Sequence, residues 1–328
     1  MQELKRIINY KRIILLLIAA TVNVVFFLYD NKPVMDEDII NKENVAHETY
    51  IKNYHEEVNA IIDNADKLKK YSIFNKAGSF SYANILQTAR DFERVKNVIL
   101  PEDEYKGVQA YTTYYYQYFF TMLVMMFVIY DMFAQRDNGM WSITYSCANG
   151  RIMYAIKQTG VIVVTGAFTH TLIYWSTFIA AMLQRGGVRD LVNPVQTIET
   201  FDKFTYPWSK IKYVTVLYLI SMVCIVALCI TIWGVFVMFR NRVYALVTML
   251  IFAAVEQFIY SHIDIHSVWN GLHYINIINI ININATFSSY RNWGVGTYVF
   301  PVFSVVLFVH IICCLLYTSD AADEARSV

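Results

Sequence analysis

Long apolar runs separated by shorter polar stretches dominate the chain. Six of these runs are long enough to cross a bilayer, which takes about 20 residues in a helix. Because the hydrocarbon region offers no water to the backbone, each run is predicted to be an α-helix. The predicted spans are Ile13–Tyr29, Tyr114–Phe133, Ile152–Leu183, Val214–Phe239, Val243–Tyr260 and Thr297–Tyr317. The pattern therefore predicts an all-α integral membrane protein with six transmembrane helices.

The long segment between the first two spans, residues 30–113, has helical patterning of its own. Apolar residues recur at helical spacing on both sides of a turn-forming stretch, Asn75–Ser79. We therefore predict a helical hairpin after the first span, with two apolar stripes that face each other. The first stripe is Tyr50, Tyr54, Val58, Ile61, Ala65 and Leu68, and the second is Tyr82, Ile85, Ala89, Phe92, Val95 and Ile99.

Charge placement predicts the topology. Four bases precede the first span, and the positive-inside rule puts residues 1–12 in the cytoplasm. Alternation then puts 30–113, 184–213 and 261–296 outside and 134–151 and 240–242 inside. This is a multi-pass protein of the cell membrane with an extracytoplasmic hairpin. The loop 184–213 does not follow the positive-inside rule, since it is basic but assigned to the outside. Its bases are Arg185, Arg189, Lys203, Lys210 and Lys212.

Composition strengthens the membrane assignment and limits the partners. Hydrophobic residues make up 56% of the chain and charged residues 16%, whereas soluble domains have about 25% charged residues. A net charge of +1 gives no indication of nucleic acid as a partner. Membrane lipids are the expected surroundings. The five cysteines suggest neither a disulfide framework nor a metal site.

The chain lacks the motifs of an energy-converting enzyme. It contains no Walker A phosphate loop, no nucleophile elbow and no HExxH zinc motif. We therefore predict that it is not an enzyme and binds no cofactor or metal itself. The spacing of His262, Asp264 and His266 brings their side chains together only on a strand, so a metal site is not expected there. Active transport would need a motor on another chain or an ion gradient.

Among the ionisable residues inside the predicted spans, two stand out as candidates for function. Glu256 lies in the fifth span and His170 in the third. Ionised side chains in a bilayer cost about 2.5–3.5 kcal/mol on insertion scales, so both are candidate residues of an intramembrane path. The competing interpretation is that Glu256 is a protonated or hydrogen-bonded link between helices.

The most informative polar segment is Phe133–Lys157, between the second and third spans. It carries Arg136, Asp137 and Gly139 near its start, then Gly150 and Arg151 where the third span begins. Small and basic residues in this arrangement favour a cytoplasmic helix held against the membrane and offered to a partner.

With these residues, the architecture resembles the permease subunit of ABC transporters of the type-2 exporter class. The family's coupling-loop pattern matches Arg136, Asp137, Gly139, Gly150 and Arg151. A second, weaker similarity to the family is Tyr290-Arg291-Asn292, which matches its Tyr-x-Asn before the last span. Cys147-Ala148-Asn149 departs from the family's small-x-Pro, and the first outer loop is longer than in the smallest members.

The resemblance implies a division of labour between chains. It implies that those five residues contact a separate ABC ATPase subunit, which uses the ATP. A second permease chain, identical or related, would complete the transmembrane path. Two other functions stay open. One is a sensory or structural membrane protein whose outer hairpin binds a ligand, and the other is a proton-coupled secondary transporter that uses Glu256.

The C-terminal tail has a different character. Cys314–Glu324 resembles the translated read-through of a sequencing adapter, and 325–328 would follow from the same reading frame. We therefore expect residues 314–328 to be non-native and the sixth span, 297–313, to be truncated.

Overall fold

The computed structural model describes residues 10–33, 36–71, 78–101, 106–134, 150–239, 241–263, 283–309 and 311–312, and most of them are α-helical. The helices are α1 (Tyr10–Asp30), α2 (Glu37–Leu68), α3 (Phe80–Glu93), α4 (Gly107–Thr113), α5 (Tyr116–Met132), α6 (Gly150–Arg185), α7 (Lys210–Met238), α8 (Arg242–Ser261) and α9 (Ile283–Ser288). Strands β1 (Asn292–Val295) and β2 (Tyr298–Pro301) follow, and residues 302–309 are again helical.

Three helices of the described chain are long and apolar enough to cross a membrane. They are the segments Arg12–Asp30, Ile156–Arg185 and Lys210–Met238, and the shorter apolar helix α5 adds 17 residues. The length and composition of these helices confirm the prediction of an all-α, membrane-embedded protein. Helix α8 coincides with the predicted fifth span. The number of six spans stays a prediction.

The bundle is built around α6, which contacts α1, α4, α5 and α7. Its largest buried side chains are aromatic residues and methionines, among them Tyr174, Tyr213, Met125 and Met126. Little of α1 is buried, and its outer face exposes isoleucine, valine and phenylalanine side chains. An apolar face of this kind is the ordinary surface of a helix that meets lipid rather than water.

The predicted sixth span differs from the structure at its start. Residues 297–313 are expected to form one helix, but Tyr298–Pro301 is a strand that pairs antiparallel with Asn292–Val295. The two strands are joined by a two-residue turn in which Gly296 has a φ of +63°. β-branched and aromatic residues favour the strand, and Pro301 directly precedes the helical residues 302–309, where a missing N–H costs nothing.

Helices α2 and α3 contact each other through an apolar cluster of their own, and we refer to this pair of helices as the hairpin. Its position outside the membrane stays a prediction. Each helix is capped: Asp36 accepts a hydrogen bond from the backbone of Asp38, and Ser79 accepts one from Tyr82. The stripes are those expected over most of their length, but Ile62 is buried more deeply than Ile61, and Leu100 is buried while Ile99 is exposed. The cluster contains Tyr54, Val58, Ile62, Phe92, Val95 and Leu100.

The loop 184–213 is folded rather than extended, and we call residues 186–209 the cap. It contains three short 3-10 helices (Arg189–Val192, Val195–Thr197 and Glu199–Phe201), and an isolated bridge closes it between Pro194 and Ser209. Its aromatic side chains pack with the first turns of α7 and with α9. The cluster is Phe201, Phe204, Tyr206, Trp208, Tyr213 and Phe287.

Candidate functional site

The predicted coupling residues lie mostly beyond the part of the chain that the structure describes. Arg136, Asp137 and Gly139 fall within residues 135–149, outside the described residues. Gly150 and Arg151 are the first two residues of α6 as described. The assignment of these five residues to partner contact stays a prediction.

One ion pair fixes which helix ends lie together. Arg12 at the start of α1 donates from Nε and Nη2 to the Asp131 carboxylate at the end of α5, at 3.0 and 2.5 Å. At the opposite end, Arg185 donates to the carbonyl oxygens of Asn31 and Lys32 just after α1, at 3.1 and 3.0 Å. Since α1 and α6 are both long, the start of α6 lies at the same end of the bundle as Arg12.

The contacts of Arg185 also explain part of the positive charge in loop 184–213, which conflicts with its predicted location outside the cell. Carbonyl groups at the C-terminal end of a helix carry partial negative charge, so a guanidinium bound there is a structural tie. Lys210, another base of that loop, is only 2% exposed. These two bases are therefore engaged in contacts within the fold, and they weigh less in the topology than a count of charges suggests.

His170 lies in the interior of the bundle rather than along an open path. Its side chain is 1% exposed, and Nε2 lies 2.7 Å from the hydroxyl of Ser221 on α7. The ring is stacked between Tyr118 and Tyr218. An imidazole held by a hydrogen bond and two aromatic faces joins α5, α6 and α7, which favours a structural role over the predicted role in a path.

A second buried polar contact ties the first helix to the bundle. The Asn23 amide on α1 donates to the hydroxyl of Thr177 on α6 at 2.7 Å, and the Tyr114 hydroxyl donates to the Asn23 side-chain oxygen at 3.0 Å. Asn23 and Thr177 are fully buried. Hydrogen bonds between membrane helices contribute about 0.6 to 2 kcal/mol each, so this pair helps to hold the weakly buried α1 in place.

Glu256 lies on α8, and its side chain is 8% exposed. The structure therefore places it inside the protein and not on the lipid-facing side of α8. This position agrees with either interpretation of Glu256, as a helix link or as a proton-carrying residue. Glu256 and His170 lie on helices that do not adjoin in the chain, and no contact between them is described.

The metal-like histidine motif is only partly visible in the structure. Nδ1 of His262 donates to the carbonyl of Phe258 one turn earlier, at 2.8 Å. Asp264 and His266 lie outside the described residues. Within the part of the chain that the structure describes, no group of three or more His, Cys, Asp and Glu side chains could hold a metal ion.

The hairpin is joined to the cap and to the segment before the strands by specific hydrogen bonds. The hydroxyl of Tyr50 donates to the backbone carbonyl of Gln196 at 2.8 Å. On the other side, the hydroxyl of Tyr290 donates to Asp91 at 3.1 Å. Burial raises the pKa of Tyr50 well above its usual range and that of Tyr290 to about 12, so both hydroxyls keep their protons at neutral pH.

Where the hairpin meets the bundle, the surface has a cleft of about 600 Å³, which we call the polar cleft. Charged and amide side chains form most of its wall, and they come from α2, α4, the cap and the ends of α1 and α6. Sequence patterning did not reveal the cleft itself, because its residues are distant in the chain. The lining residues are Asn31, Ile40, Glu43, Asn44, Ala46, His47, Lys106, Gln109, Ala110, Thr113, Arg185 and Glu199.

The sequence did carry one signal for this region. The pair Gly186-Gly187 follows the third span directly, and both residues have positive φ, at 71° and 104°. That backbone turns the chain sharply after Arg185 and brings the cap over the helix ends.

Comparison with models of known families, with curated proteins and with solved structures finds no match to this chain. The functional argument therefore depends on the chain's own residues.

Proposed function

We propose that this protein is the permease subunit of an ABC exporter of the type-2 class. It forms the transmembrane path, and an ATPase on a separate chain drives it. A second permease chain, identical or related, completes the path. The bundle of long apolar helices supports a membrane-embedded protein, and the missing phosphate-binding loop means that energy must come from elsewhere.

One observation supports the proposal: α5 ends and α6 begins at the end of the bundle where Arg12 meets Asp131, so the segment that connects them starts and finishes there. The N-terminal bases mark that end as cytoplasmic by the positive-inside rule. The segment is much longer than residues 240–242, the other predicted cytoplasmic connection. It is therefore the natural element to receive force from a cytoplasmic ATPase, through residues 140–154.

The partner contact is tested by charge reversal at the two basic positions of that segment. An affinity-tagged chain is purified from its native membrane, and the retained ATPase activity is measured. Arg136→Glu and Arg151→Glu should each lower the retained activity at least about tenfold, because one lost charge-assisted hydrogen bond is worth about 1.5–3 kcal/mol.

The matched control is Lys203→Glu, which reverses an exposed charge in the cap at the opposite end. It should retain the ATPase as the unaltered chain does. If the unaltered chain brings down no ATPase at all, the permease proposal fails. If both reversals leave the complex intact, only the site assignment fails.

A proton-coupled secondary transporter is the second candidate, because Glu256 is a buried acid on an apolar helix. A secondary transporter differs from an ABC permease in its energy source. Transport would follow a pH gradient without any ATPase and would be lost in Glu256→Gln. An ABC permease would keep its ATP-dependent transport in that variant as long as the chain still folds.

A further inference from the structure

The polar cleft lies at the level where three apolar helices end. Asn31 directly follows α1, Arg185 is the last residue of α6, and Thr113 precedes α5 by a few residues. Because α1 and α6 have the length and apolar character of membrane spans, their ends reach the headgroup layer, and the shorter apolar helix α5 packs beside them. The cleft therefore faces the outer lipid headgroups rather than bulk water.

Opposite charges line the cleft in equal number. Lys106 pairs with Glu43 at 2.5 Å, and Arg185 uses Nε and Nη2 on the carbonyls after α1. The carboxylate of Glu199 is exposed and makes no hydrogen bond or ion pair within the described residues. A site with balanced charge favours a ligand that carries both signs over a purely anionic or purely cationic one.

The cleft wall also has unmet hydrogen-bonding capacity. The Nε2 atom of His47 is buried and has no hydrogen-bond partner among the described residues. Because no water-sized group reaches this nitrogen in the present rotamer, it can bond a ligand in the cleft only after the imidazole turns. The amides of Asn44 and Gln109 lie in the same wall.

Exposed apolar side chains lie in the chain next to this polar wall. Leu28 and Tyr29 precede Asn31 on α1, Leu183 precedes Arg185 on α6, and Tyr115 follows Thr113; all four are exposed. In a membrane these side chains meet acyl chains. A polar cleft that continues into an apolar face matches an amphiphile, with a charged head and a hydrocarbon tail.

We propose that the polar cleft binds the headgroup of a zwitterionic phospholipid from the outer leaflet. The phosphate lies near Arg185, whose guanidinium has five N–H groups and gives only two of them to the carbonyls after α1, so that others can donate to phosphate oxygens. The ammonium lies near Glu199. The acyl chains follow the exposed ends of α1 and α6. A cleft of about 600 Å³ is within the usual range for small ligands. The inference is independent of whether the protein is a permease.

The test measures binding to the purified full chain in detergent. The probe is dihexanoyl phosphatidylethanolamine, and the readout is the rise in melting temperature with probe concentration. Dihexanoyl phosphatidylglycerol tests the need for the ammonium group. Glycerophosphoethanolamine, the same head without acyl chains, separates a membrane lipid from a soluble metabolite. We expect the first probe to bind at least about tenfold more tightly than either of the others.

Two pairs of variants locate the site. Ala46→Phe fills the cleft, whereas Val45→Phe places the same ring on the adjacent exposed position outside its lining. Glu199→Gln removes the ammonium partner, and Asp202→Asn removes an equal charge from the same part of the cap. Ala46→Phe and Glu199→Gln should weaken binding at least about tenfold, and their controls should not.

Three results would each overturn the proposal. Binding that is unchanged in Ala46→Phe shows that the cleft is not the site. Phosphatidylglycerol that binds as tightly as phosphatidylethanolamine contradicts a zwitterionic ligand. Glycerophosphoethanolamine that binds as tightly contradicts a membrane source. Val45→Phe guards against misreading a folding defect, since it should bind and melt as the unaltered chain does.

Discussion

Gly107 is a residue whose role only becomes clear from its neighbours. It begins α4, and a Cβ atom at this position would lie 2.2 Å from the backbone oxygen of Gly186. No real side chain tolerates such a distance, so the close approach of α4 to the end of α6 requires glycine. The glycine at 160, within α6, has no atom within 4 Å of the corresponding position. Two glycines that look alike in the sequence therefore have opposite tolerance for a methyl group.

Gly107→Ala should destabilise the protein by about 1–3 kcal/mol, because backbone must shift to admit the methyl group. The measurement is thermal unfolding of the purified chain in detergent. Gly160→Ala is the control, and it should be neutral or slightly stabilising, since alanine is the better helix former. Equal melting temperatures for the two variants would contradict the close contact.

At the scale of elements, the α2–α3 hairpin depends on a few polar contacts with the rest of the protein. The buried carboxylate of Asp91 on α3 accepts hydrogen bonds from Tyr290 and Gln87 and pairs with Arg94 at 3.1 Å. The amide of Asn292 donates to the side-chain oxygen of Asn84 at 2.9 Å. The segment before β1 thus runs along α3 and holds it.

Tyr290→Phe should loosen this attachment. The lost hydroxyl donates to Asp91 or Thr88 and accepts a hydrogen bond from Asn292. Two hydrogen bonds at about 0.5–1.5 kcal/mol each should make amide hydrogens of α3 exchange about five- to a hundredfold faster if they exchange through release of this contact. Hydrogen exchange followed by mass spectrometry of the α3 peptides measures the effect. Tyr298→Phe is the matched control, because Tyr298 is largely exposed and makes no described hydrogen bond from its hydroxyl.

The same tyrosine gives a pH dependence with a defined sign. Its folded pKa of about 12 lies above the unfolded value of about 10. Its contribution to stability is therefore complete below pH 10 and is lost as the pH rises through 12. Loss of this contribution should speed amide hydrogen exchange in α3 as the pH rises from 10 to 12. In Tyr290→Phe, this acceleration should be absent. A variant that keeps the full acceleration would contradict the assignment.

At the scale of the whole molecule, the ion pair of Arg12 with Asp131 and the contacts of Arg185 with the end of α1 define two opposite ends. The hairpin, the cap and the polar cleft all lie at the end of Arg185. The start of α1, the end of α5 and the start of α6 lie at the other. A membrane that surrounds the apolar helices would separate these two groups of elements.

Labelling of single cysteines tests this arrangement. In a chain whose five natural cysteines are replaced by alanine, Val45→Cys on α2 should react with an impermeant maleimide added to intact cells. Tyr10→Cys at the start of α1 should react only after the membrane is opened. Both positions are well exposed, so access alone does not distinguish them. Reaction of both from the same side would refute the topology.

Several features were predictable because they depend on local sequence. The helices α1, α6 and α7 follow from the length of their apolar runs, and the stripe through Tyr54, Val58 and Ala65 follows from helical spacing. The prediction that the sixth span begins as a helix was wrong. Tyr298–Pro301 is apolar enough to suggest a helix, but it forms a strand that pairs with Asn292–Val295. A strand gains its stability from a partner elsewhere in the chain, which hydropathy does not register.

The candidate functional residues likewise divide into those visible in a short stretch of sequence and those brought together only by the fold. The pattern of Arg136, Asp137, Gly139, Gly150 and Arg151 was visible in the sequence as a short linear segment. The polar cleft was not, because Glu43, Lys106, Arg185 and Glu199 come from four separate elements. Loop 184–213 likewise looked like a surplus of surface charge, whereas Arg185 and Lys210 are taken up by contacts within the fold.

The sequence by itself determined that this is a helical membrane protein, because apolar runs of bilayer length leave the backbone no stable alternative in lipid. It also determined the bounds of α1, α5, α6, α7 and α8 to within a few residues, but not the start of the sixth predicted span, which is a strand. Only the tertiary structure decided that His170 is held between tyrosines, that the cap is folded, and that charged residues distant in the chain line a common cleft. Those outcomes depend on which helix ends lie together, and spacing along the chain does not contain that information.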